Sequence, residues 1–388
     1  MKKYTVFSHG YASPLLRCDH RLSTELDFDQ VKHTSIQFEE DDLLYVPSED
    51  GLIWVSQRTR NTAIASAIEL FKNKVAFRQA CADFMPDFFF KEVAVQDMHL
   101  LKLDFSRIGC YIIKPKRGYY ATAVRTITPD TDLLQLQAEI QAELAIRSQY
   151  YPETMLSSQA LILEEFIGKP IENSLGLDEA ELAVDLFYDR NGEPVIVGLY
   201  HHPHPTCSAY FHTLYYTSQS IYARFSGMVI DFFQALQKRG LNLRNFPVHA
   251  EFKVIGTRLI PIEINPYRFG GYGLADLLHH ACGINPYETY FESRHPDWPS
   301  LWAGKTELYG CVVGYNGQGI DLQTHEPQRA EFKAMFGNSL LHSQPLDHMN
   351  CPLFAMAYFK TSDPDLLHKV LTLDYRKFFK AIEESTPC

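Results

Sequence analysis

Apolar side chains recur along the chain with two periods, and each period predicts a different kind of element. Alternation of apolar and polar residues is typical of strands, whereas apolar positions three and four residues apart form one face of a helix. With the turn residues between them, these patterns predict strands at 4–8, 43–46, 53–56, 110–116, 121–127, 160–167, 181–188, 194–200, 248–254, 259–265, 308–313 and 353–359. Helices are predicted from Asn61 to about residue 84, at 130–150, 221–240, 274–283 and 329–336, and twice after the last strand.

Two pairs of these strands are separated by short turns. Asn191-Gly192 separates the first pair and is a strong signal for a tight hairpin. Gly256-Thr257 separates the second pair. Because neighbouring strands joined this way run antiparallel, we expect an α+β fold with much antiparallel sheet.

Composition places the chain among ordinary globular proteins. It has 388 residues, 46% of them hydrophobic and 21% charged, which suits two or three packed domains. The net charge of −11 argues against general binding of nucleic acids or anionic membranes. No apolar run reaches the ~18 residues of a membrane span, and the basic N-terminus has no apolar segment of a signal peptide after it. The eight cysteines form no CxxC pair, so we expect reduced thiols and a cytoplasmic protein.

The second hairpin carries the most informative polar residues. His249, Glu251 and Lys253 share one face of its first strand, and Glu263 and Asn265 share one face of its second. Two carboxylates side by side repel each other unless a cation lies between them, and two carboxylates with an amide oxygen suit Mg²⁺. The alternative is a solvated surface hairpin, but the apolar neighbours at 260, 262 and 264 indicate that one side is buried.

Other segments contain residues that could bind a ligand, but each segment by itself is weak evidence for a site. Lys114 ends an apolar strand and precedes a basic turn with Lys116, where backbone amides and ammonium groups can bind phosphates. Glu164 and Glu165 lie on an apolar strand before a glycine, where they can contact a nucleobase or a ribose. Each segment can equally be an exposed turn or an amphipathic strand end. The histidines at 201–204 favour a polar strand end over a metal site, because prolines interrupt them.

The order of these segments resembles the ATP-grasp superfamily over roughly residues 60–285. The resemblance is carried by Lys74, Ile-Ile-Lys-Pro at 112–115, Leu-Glu-Glu-Phe-Ile-Gly at 163–168, Ala-Glu-Phe at 250–252 and Ile-Glu-Ile-Asn-Pro at 262–266. It implies an α/β pre-ATP-grasp domain (1–105), a lid subdomain (106–170) and a C-terminal subdomain with the metal site (171–300). ATP would be gripped between two antiparallel sheets. The segment 301–388 is an α+β extension without an assigned role.

The resemblance also implies roles for single residues. Mg²⁺, or Mn²⁺, would be bound by Glu251, Glu263 and Asn265. Arg268 would stabilise the transferred phosphoryl group, and Lys114 would act with it in catalysis. The predicted ATP contacts are Lys74, Lys114, Lys116, Glu164, Glu165, Phe166 and Ile167, with Glu172 at the ribose.

The reaction implied is ligation of a carboxylate to an amine or thiol through an acyl phosphate, with release of ADP and phosphate. An ATP-grasp kinase acting on a hydroxyl and a non-catalytic ATP-binding protein are the alternatives. Small-molecule substrates are expected, with neither a nucleic acid nor a membrane as partner, and a homodimer is left open. His249 is the proposed base for the acceptor. The remaining candidate substrate contacts are Ser8, His9, Gly10, Tyr11, Gly270 and Gly271.

Overall fold

The chain folds around three main β-sheets, which give it the predicted α+β architecture. The computed structural model describes residues 1–8, 12–17, 22–118, 122–167, 181–203 and 213–382. The strands of the described residues are β1 Lys3–Phe7, β2 Thr24–Asp27, β3 Leu43–Tyr45, β4 Phe90–Ala94, β5 Tyr111–Pro115, β6 Arg125–Ile127, β7 Ala160–Glu165, β8 Glu181–Tyr188, β9 Pro194–His201, β10 Leu214–Thr217, β11 Phe246–Ile255, β12 Arg258–Pro266, β13 Leu308–Tyr315, β14 His325–Pro327, β15 Leu340–Pro345, β16 Leu353–Thr361 and β17 Phe379–Ala381.

Helices connect and cover the sheets. Those of the described residues are α1 Pro14–Arg17, α2 Phe28–Val31, α3 Glu49–Ser56, α4 Thr62–Lys72, α5 Lys74–Ala80, α6 Leu133–Arg147, α7 Gln219–Leu236, α8 Leu277–Cys282, α9 Pro286–Phe291, α10 Trp298–Trp302, α11 Arg329–Ala334 and α12 Pro364–Leu371. Short 3₁₀ turns are formed by Ala82–Phe84, Val95–Leu100, Leu274–Asp276, Gly337–Ser339 and Tyr375–Phe378, and a π turn by Gln237–Leu241. No helix of the described residues is long and apolar enough to cross a membrane.

The N-terminal sheet is parallel, in the order β2-β1-β3. One prediction here is wrong: residues 53–56 lie in helix α3 and not in a strand. The side chain of Ser48 accepts a hydrogen bond from the backbone N–H of Gly51, so that it caps the helix, and two acidic residues follow in the first turn. The helix places Glu49 close to the candidate site described below.

The predicted helix from Asn61 to about residue 84 is interrupted. Asn61 caps α4 as expected, by accepting a hydrogen bond from the N–H of Ile64. Asn73 ends α4 and caps a new helix, α5, through a bond from the N–H of Ala76. Because Asn side chains can replace backbone partners at a helix start, this residue turns one helix into two. Lys74 is therefore the first residue of α5.

The second sheet is antiparallel, in the order β4-β7-β5-β6, and we call it the lid sheet. Helix α6 packs on it through Leu136, Ile140 and Leu144, which share a core with strand residues such as Ile113 and Leu163. The predicted helix at 130–150 and the predicted strands at 110–116 and 160–167 are confirmed with slightly shorter bounds.

The third sheet has eight antiparallel strands, in the order β12-β11-β8-β9-β10-β13-β16-β15. Both predicted hairpins are confirmed, since β8 pairs with β9 and β11 with β12. Gly192 has a φ of 85°, which explains the glycine in the first turn. Strands after residue 300 continue this sheet, and β4 of the lid sheet precedes residue 106. The domain boundaries drawn from the sequence remain a prediction.

Candidate active site

The β11–β12 hairpin brings the predicted metal-binding residues together. Glu251 and Glu263 are direct cross-strand partners, as are His249 and Asn265. Side chains of directly paired residues have Cβ atoms about 4.5–5.5 Å apart, so the two carboxylates lie side by side. The Asn265 side-chain amide donates a hydrogen bond of 2.9 Å to Glu263 Oε1. This neighbour arrangement is the one that the twelve-residue spacing predicts.

The chemistry of these side chains fits Mg²⁺. Two carboxylates and an amide oxygen are hard oxygen donors, which Mg²⁺ prefers, and they leave room for phosphate oxygens and water. Among the described residues, no group of three or more histidine, cysteine, aspartate or glutamate side chains is arranged to hold a metal ion. The hairpin set therefore suits Mg²⁺ or Mn²⁺ shared with a phosphate ligand better than a closed site for Zn²⁺.

Lys74 lies next to this hairpin. Its Nζ is 3.8 Å from Glu263 Oε2 and donates a hydrogen bond of 3.2 Å to the carbonyl of Gly118. Burial lowers the pKa of Lys74 to about 8, with Lys114 and Lys72 adding repulsion, although Glu263 raises it. Burial would raise the pKa of Glu263, but Lys74 and the Asn265 hydrogen bond lower it to about 2. Glu263 is thus ionised at neutral pH.

Lys114 lies in a second charge cluster, built on the lid sheet. Its Nζ is 2.5 Å from Oε1 of Glu164, and the other oxygen, Oε2, accepts a hydrogen bond of 2.8 Å from Nε of Arg78. All three side chains are buried. Burial would raise the pKa of Glu164, yet Arg78 and Lys114 lower it to about 2. Lys114 lowers the pKa of Lys74, so the two clusters are neighbours, and we call the region where both lie the cleft.

The predicted nucleotide-binding segment is only partly at this cleft. The Glu164 carboxylate contacts two cations, whereas that of Glu165 accepts a hydrogen bond from the backbone of Phe89. Phe166 is half exposed, and its N–H donates to the carbonyl of Cys110. Ile167 packs against the main core. The role of these four residues in binding adenine stays a prediction, and Glu172 lies outside the described residues.

Lys116 is not brought to the charge clusters. Its Nζ bonds Glu92 on β4 at 2.7 Å, and that carboxylate is exposed. Its backbone is closer to the site, since the Lys116 carbonyl accepts a hydrogen bond from the N–H of Lys74. A direct contact between this ammonium group and a ligand at Glu263 is not favoured by this geometry.

Arg268 follows β12 and is half-buried. Its Nη1 donates to the carbonyl of Phe269, and its charge, together with Lys72, lowers the pKa of Glu49 against the effect of burial. Asp276, eight residues further along the chain, accepts hydrogen bonds from Ser13 and Tyr287.

The glycines after Arg268 differ in their surroundings. Gly270 donates its N–H to Oδ1 of Asp185 at 2.7 Å, and a Cβ there would meet the Leu274 side chain at 2.7 Å. A Cβ at Gly271 would meet no described atom within 4 Å. Ser8 directly follows β1, whereas the predicted substrate contacts His9, Gly10 and Tyr11 lie outside the described residues.

His249 is buried between two carboxylates. Its Nδ1 is 2.8 Å from Oδ1 of Asp185, and its Nε2 is 3.5 Å from Oε1 of Glu251. Burial would lower the pKa of His249, but hydrogen bonds and the charges of both acids raise it to about 9. The two carboxylates favour the protonated imidazole, and the role of His249 as the base for the acceptor stays a prediction.

Several charged residues of the site are not evident from the sequence. Arg78 follows Lys74 by four residues, which places both on one face of α5, and this spacing is the signal that could have identified it. Glu49 forms an ion pair of 2.7 Å with Lys72 beside Arg268, on a segment predicted as a turn. Asp185 has no local signal, because its contacts come from strands far along the chain.

His201 and His202 do not face solvent. His201 and His202 are both buried, and His202 Nδ1 is 3.0 Å from Oε1 of Glu181. The other oxygen of Glu181 bonds Lys253 at 2.8 Å, and the His202 ring stacks on Tyr215. The predicted end of a strand is confirmed at His201, where β9 ends, but these two side chains are buried and not exposed to solvent; His204 lies outside the described part.

Several known proteins share the fold of this chain. Residues 109–276 match the sequence model of the ATP-grasp domain. The structure is similar to an L-amino acid ligase from Bacillus licheniformis (TM-score 0.62, 13% identity, 99% of each chain covered). It is also similar to N5-carboxyaminoimidazole ribonucleotide synthetase from Thermotoga maritima (TM-score 0.58, 13% identity, 99% of this chain and 100% of that one). A biotin carboxylase from Campylobacter jejuni resembles it with a TM-score of 0.54, 11% identity, and 93% and 82% coverage of this chain and that one. None of the curated proteins matches the sequence. The resemblance to the ATP-grasp superfamily is thereby confirmed.

Proposed function

We propose that this protein is an ATP- and Mg²⁺-dependent ligase that joins a carboxylate to an amine, and the match of residues 109–276 to the sequence model of the ATP-grasp domain supports the proposal. The observation that carries the proposal is the cleft between the lid sheet and the β11–β12 hairpin. There Lys74 and Lys114 lie next to the paired carboxylates Glu251 and Glu263. Cations for phosphate and oxygen ligands for a metal ion are both needed to bind ATP for phosphoryl transfer.

The metal site would be formed by Glu251, Glu263 and Asn265. Mg²⁺, when bound there, would neutralise charge on the ATP phosphates. The described side chains would supply the rest: Lys74 and Lys114 bind phosphate oxygens, and Arg268 faces the transferred phosphoryl group. Fixed positive groups of this kind stabilise the transition state, because they need no rearrangement as charge develops.

The reaction would proceed in two steps. A substrate carboxylate oxygen attacks the γ-phosphorus of ATP, the bond to the β-phosphate oxygen breaks, and ADP leaves. The amine then attacks the carbonyl carbon of the acyl phosphate, loses a proton and displaces orthophosphate. The lid sheet would protect the acyl phosphate from water. The name of the similar L-amino acid ligase supports amino acids as the first substrates to test.

Product analysis of the purified protein tests the proposal. The protein would be incubated with ATP, MgCl₂ and pairs of amino acids, and ADP, orthophosphate and organic products would be measured. A ligase releases orthophosphate only with a second nucleophile and forms a product equal in mass to both substrates less one water. A phosphorylated product would indicate a kinase, and neither product would indicate a binding protein. Glu263→Gln should abolish turnover, whereas the matched control Glu92→Gln, on an exposed strand residue, should not.

A further inference from the structure

Arg78 connects two sheets at the cleft and is almost fully buried, with 1% of its surface exposed. It lies on α5. Its Nε donates to Glu164 on β7 of the lid sheet, and its Nη1 donates to the carbonyl of Pro261 on β12 of the large sheet. The Phe88 ring lies 5.1 Å from the guanidinium carbon and covers it. One side chain thus holds the lid sheet to the hairpin that carries Glu251 and Glu263.

The contacts of Arg78 within the protein do not use all of its donors. The third nitrogen of its guanidinium group, Nη2, is buried and has no hydrogen-bond partner among the residues that the structure describes. A buried donor without a partner costs free energy, so a purely structural role would favour a smaller or apolar side chain here. The guanidinium therefore calls for an explanation beyond packing.

Arg78 shares one carboxylate, that of Glu164, with Lys114. Glu164 accepts from Arg78 through one oxygen and from Lys114 through the other. A buried carboxylate that loses its only cation is strongly destabilised. If Glu164 had Lys114 alone, moving that ammonium group toward a phosphate would leave such a carboxylate behind. With Arg78 present, Glu164 keeps a partner when Lys114 turns away.

The charges in the cleft support the same conclusion. Three cationic side chains, those of Arg78, Lys74 and Lys114, lie with three acidic ones, those of Glu164, Glu251 and Glu263. Without Arg78 the acidic side chains would outnumber the lysines three to two, and a net negative charge disfavours an anionic ligand.

We propose that Arg78 is a positioning residue that keeps Glu164 compensated and thereby makes Lys114 available to a phosphate ligand, while its bond to Pro261 holds the lid sheet in place. This inference rests on the proposed function, since it requires that the cleft binds nucleotide phosphate. Arg78 acts through Glu164 and Lys114 and does not itself contact the reacting atoms.

A mutant cycle between Arg78 and Glu164 tests the inference. The variants are Arg78→Met, Glu164→Gln and the double variant, and the probe is the non-hydrolysable ATP analogue adenylyl imidodiphosphate with Mg²⁺, titrated by calorimetry. Arg78→Met should weaken binding by about tenfold or more, because Glu164 then retains Lys114. Glu164→Gln added to Arg78→Met should restore binding to within about threefold of Glu164→Gln alone, because no carboxylate holds the lysine.

A matched control is available at Arg239. It also donates to a carbonyl, that of Ala80, and also stacks on a phenylalanine, Phe84, but it lies outside the charge clusters. Arg239→Met should lower the melting temperature at most and leave binding within about twofold of wild type. If Arg78→Met does not fold, Arg78→Lys replaces it. That variant keeps the charge and should bind within a few-fold of wild type at lower stability.

The outcomes separate this inference from the proposed function. Wild-type protein that fails to bind the analogue with Mg²⁺ would refute the proposed function itself. Wild-type binding with an Arg78→Met variant of equal affinity would overturn only the role of Arg78. The same holds if the double variant binds as weakly as Arg78→Met, because the loss would then not act through Glu164. An Arg78→Lys variant that loses about tenfold or more in affinity would likewise overturn the role of Arg78.

Discussion

Replacement of Lys114 by methionine is the most direct test of phosphate binding at the cleft. Methionine keeps an unbranched apolar side chain but removes the ammonium group that lies 2.5 Å from Glu164. Because Lys114 is buried, its stem packs against neighbours that a smaller residue would leave uncovered. We therefore expect Lys114→Met to change charge more than packing.

The size of the effect follows from the contact that is lost. A hydrogen bond between charged groups contributes about 1–3 kcal/mol, and each 1.4 kcal/mol is a factor of ten, so nucleotide affinity should fall by about 5- to 150-fold. Removing one partner of a buried ion pair usually costs about 3–5 kcal/mol of stability. Here Arg78 remains bonded to the other oxygen of Glu164, so the loss of stability should be well below that range.

Lys116→Met is the matched control, because it lies two residues away on the same segment and bonds the exposed Glu92. Calorimetric titration with adenylyl imidodiphosphate and Mg²⁺ should give a large loss for Lys114→Met and a change within about twofold for Lys116→Met, as for exposed ion pairs generally. Thermal melts of both variants show whether each is folded at the titration temperature.

Two results would refute the reasoning. If Lys114→Met binds the analogue as well as wild type does, its ammonium group does not contact the nucleotide. If both variants lose affinity equally, burial and the pairing with Glu164 do not distinguish the two lysines.

Three further predictions concern the other charged groups. Glu263→Gln removes charge but not volume, so it should fold normally and lose about 100-fold or more of Mg²⁺-dependent ADP formation; wild-type turnover would exclude the metal assignment. Arg268→Lys should lower kcat by about 100-fold with little change in ATP affinity, whereas a change in melting temperature alone would argue for a structural arginine. Burial raises the pKa of Asp276 to about 7, although hydrogen bonds from Ser13 and Tyr287 oppose the shift. With a raised pKa, Asp276 binds its proton more tightly in the folded state than in the unfolded chain. The contribution of Asp276 to the free energy of unfolding should therefore fall by on the order of 1 kcal/mol per pH unit between about pH 4 and 7 and stay constant above pH 7. Denaturant titrations of wild type and Asp276→Asn at several pH values measure the difference, and identical pH profiles would contradict the shift.

Much of the local structure was predictable because it depends on neighbours in the sequence. The hairpins at Asn191-Gly192 and Gly256-Thr257 follow from alternating apolar residues and a turn, and α7 from its apolar face. The errors are local as well. The side chain of Ser48 starts a helix where a strand was predicted, and Asn73 divides one predicted helix into two.

The order of motifs along the chain also indicated the hairpin proposed to bind the metal, since Glu251 and Glu263 become neighbours as soon as their strands pair. Pairing across a short turn follows from the turn and from the two-residue period of a strand. The resemblance to the fold family could be recognised from the sequence for the same reason, because the most specific motifs, at 250–252 and 262–266, lie within this one hairpin.

Only the tertiary structure decided which charges compensate each other. Arg78 meets Glu164 across 86 residues and Pro261 across 183, and His249 meets Asp185 across 64. No sequence spacing encodes such contacts, because they depend on which surfaces of separate sheets come together. Burial gives these contacts a large effect on stability, because a charge that is removed from water is costly unless the fold places a partner beside it. The sequence alone thus indicated most of the candidate site residues, and the packing of the sheets determined that Lys114 is held in the cleft while Lys116, two residues later, bonds an exposed glutamate.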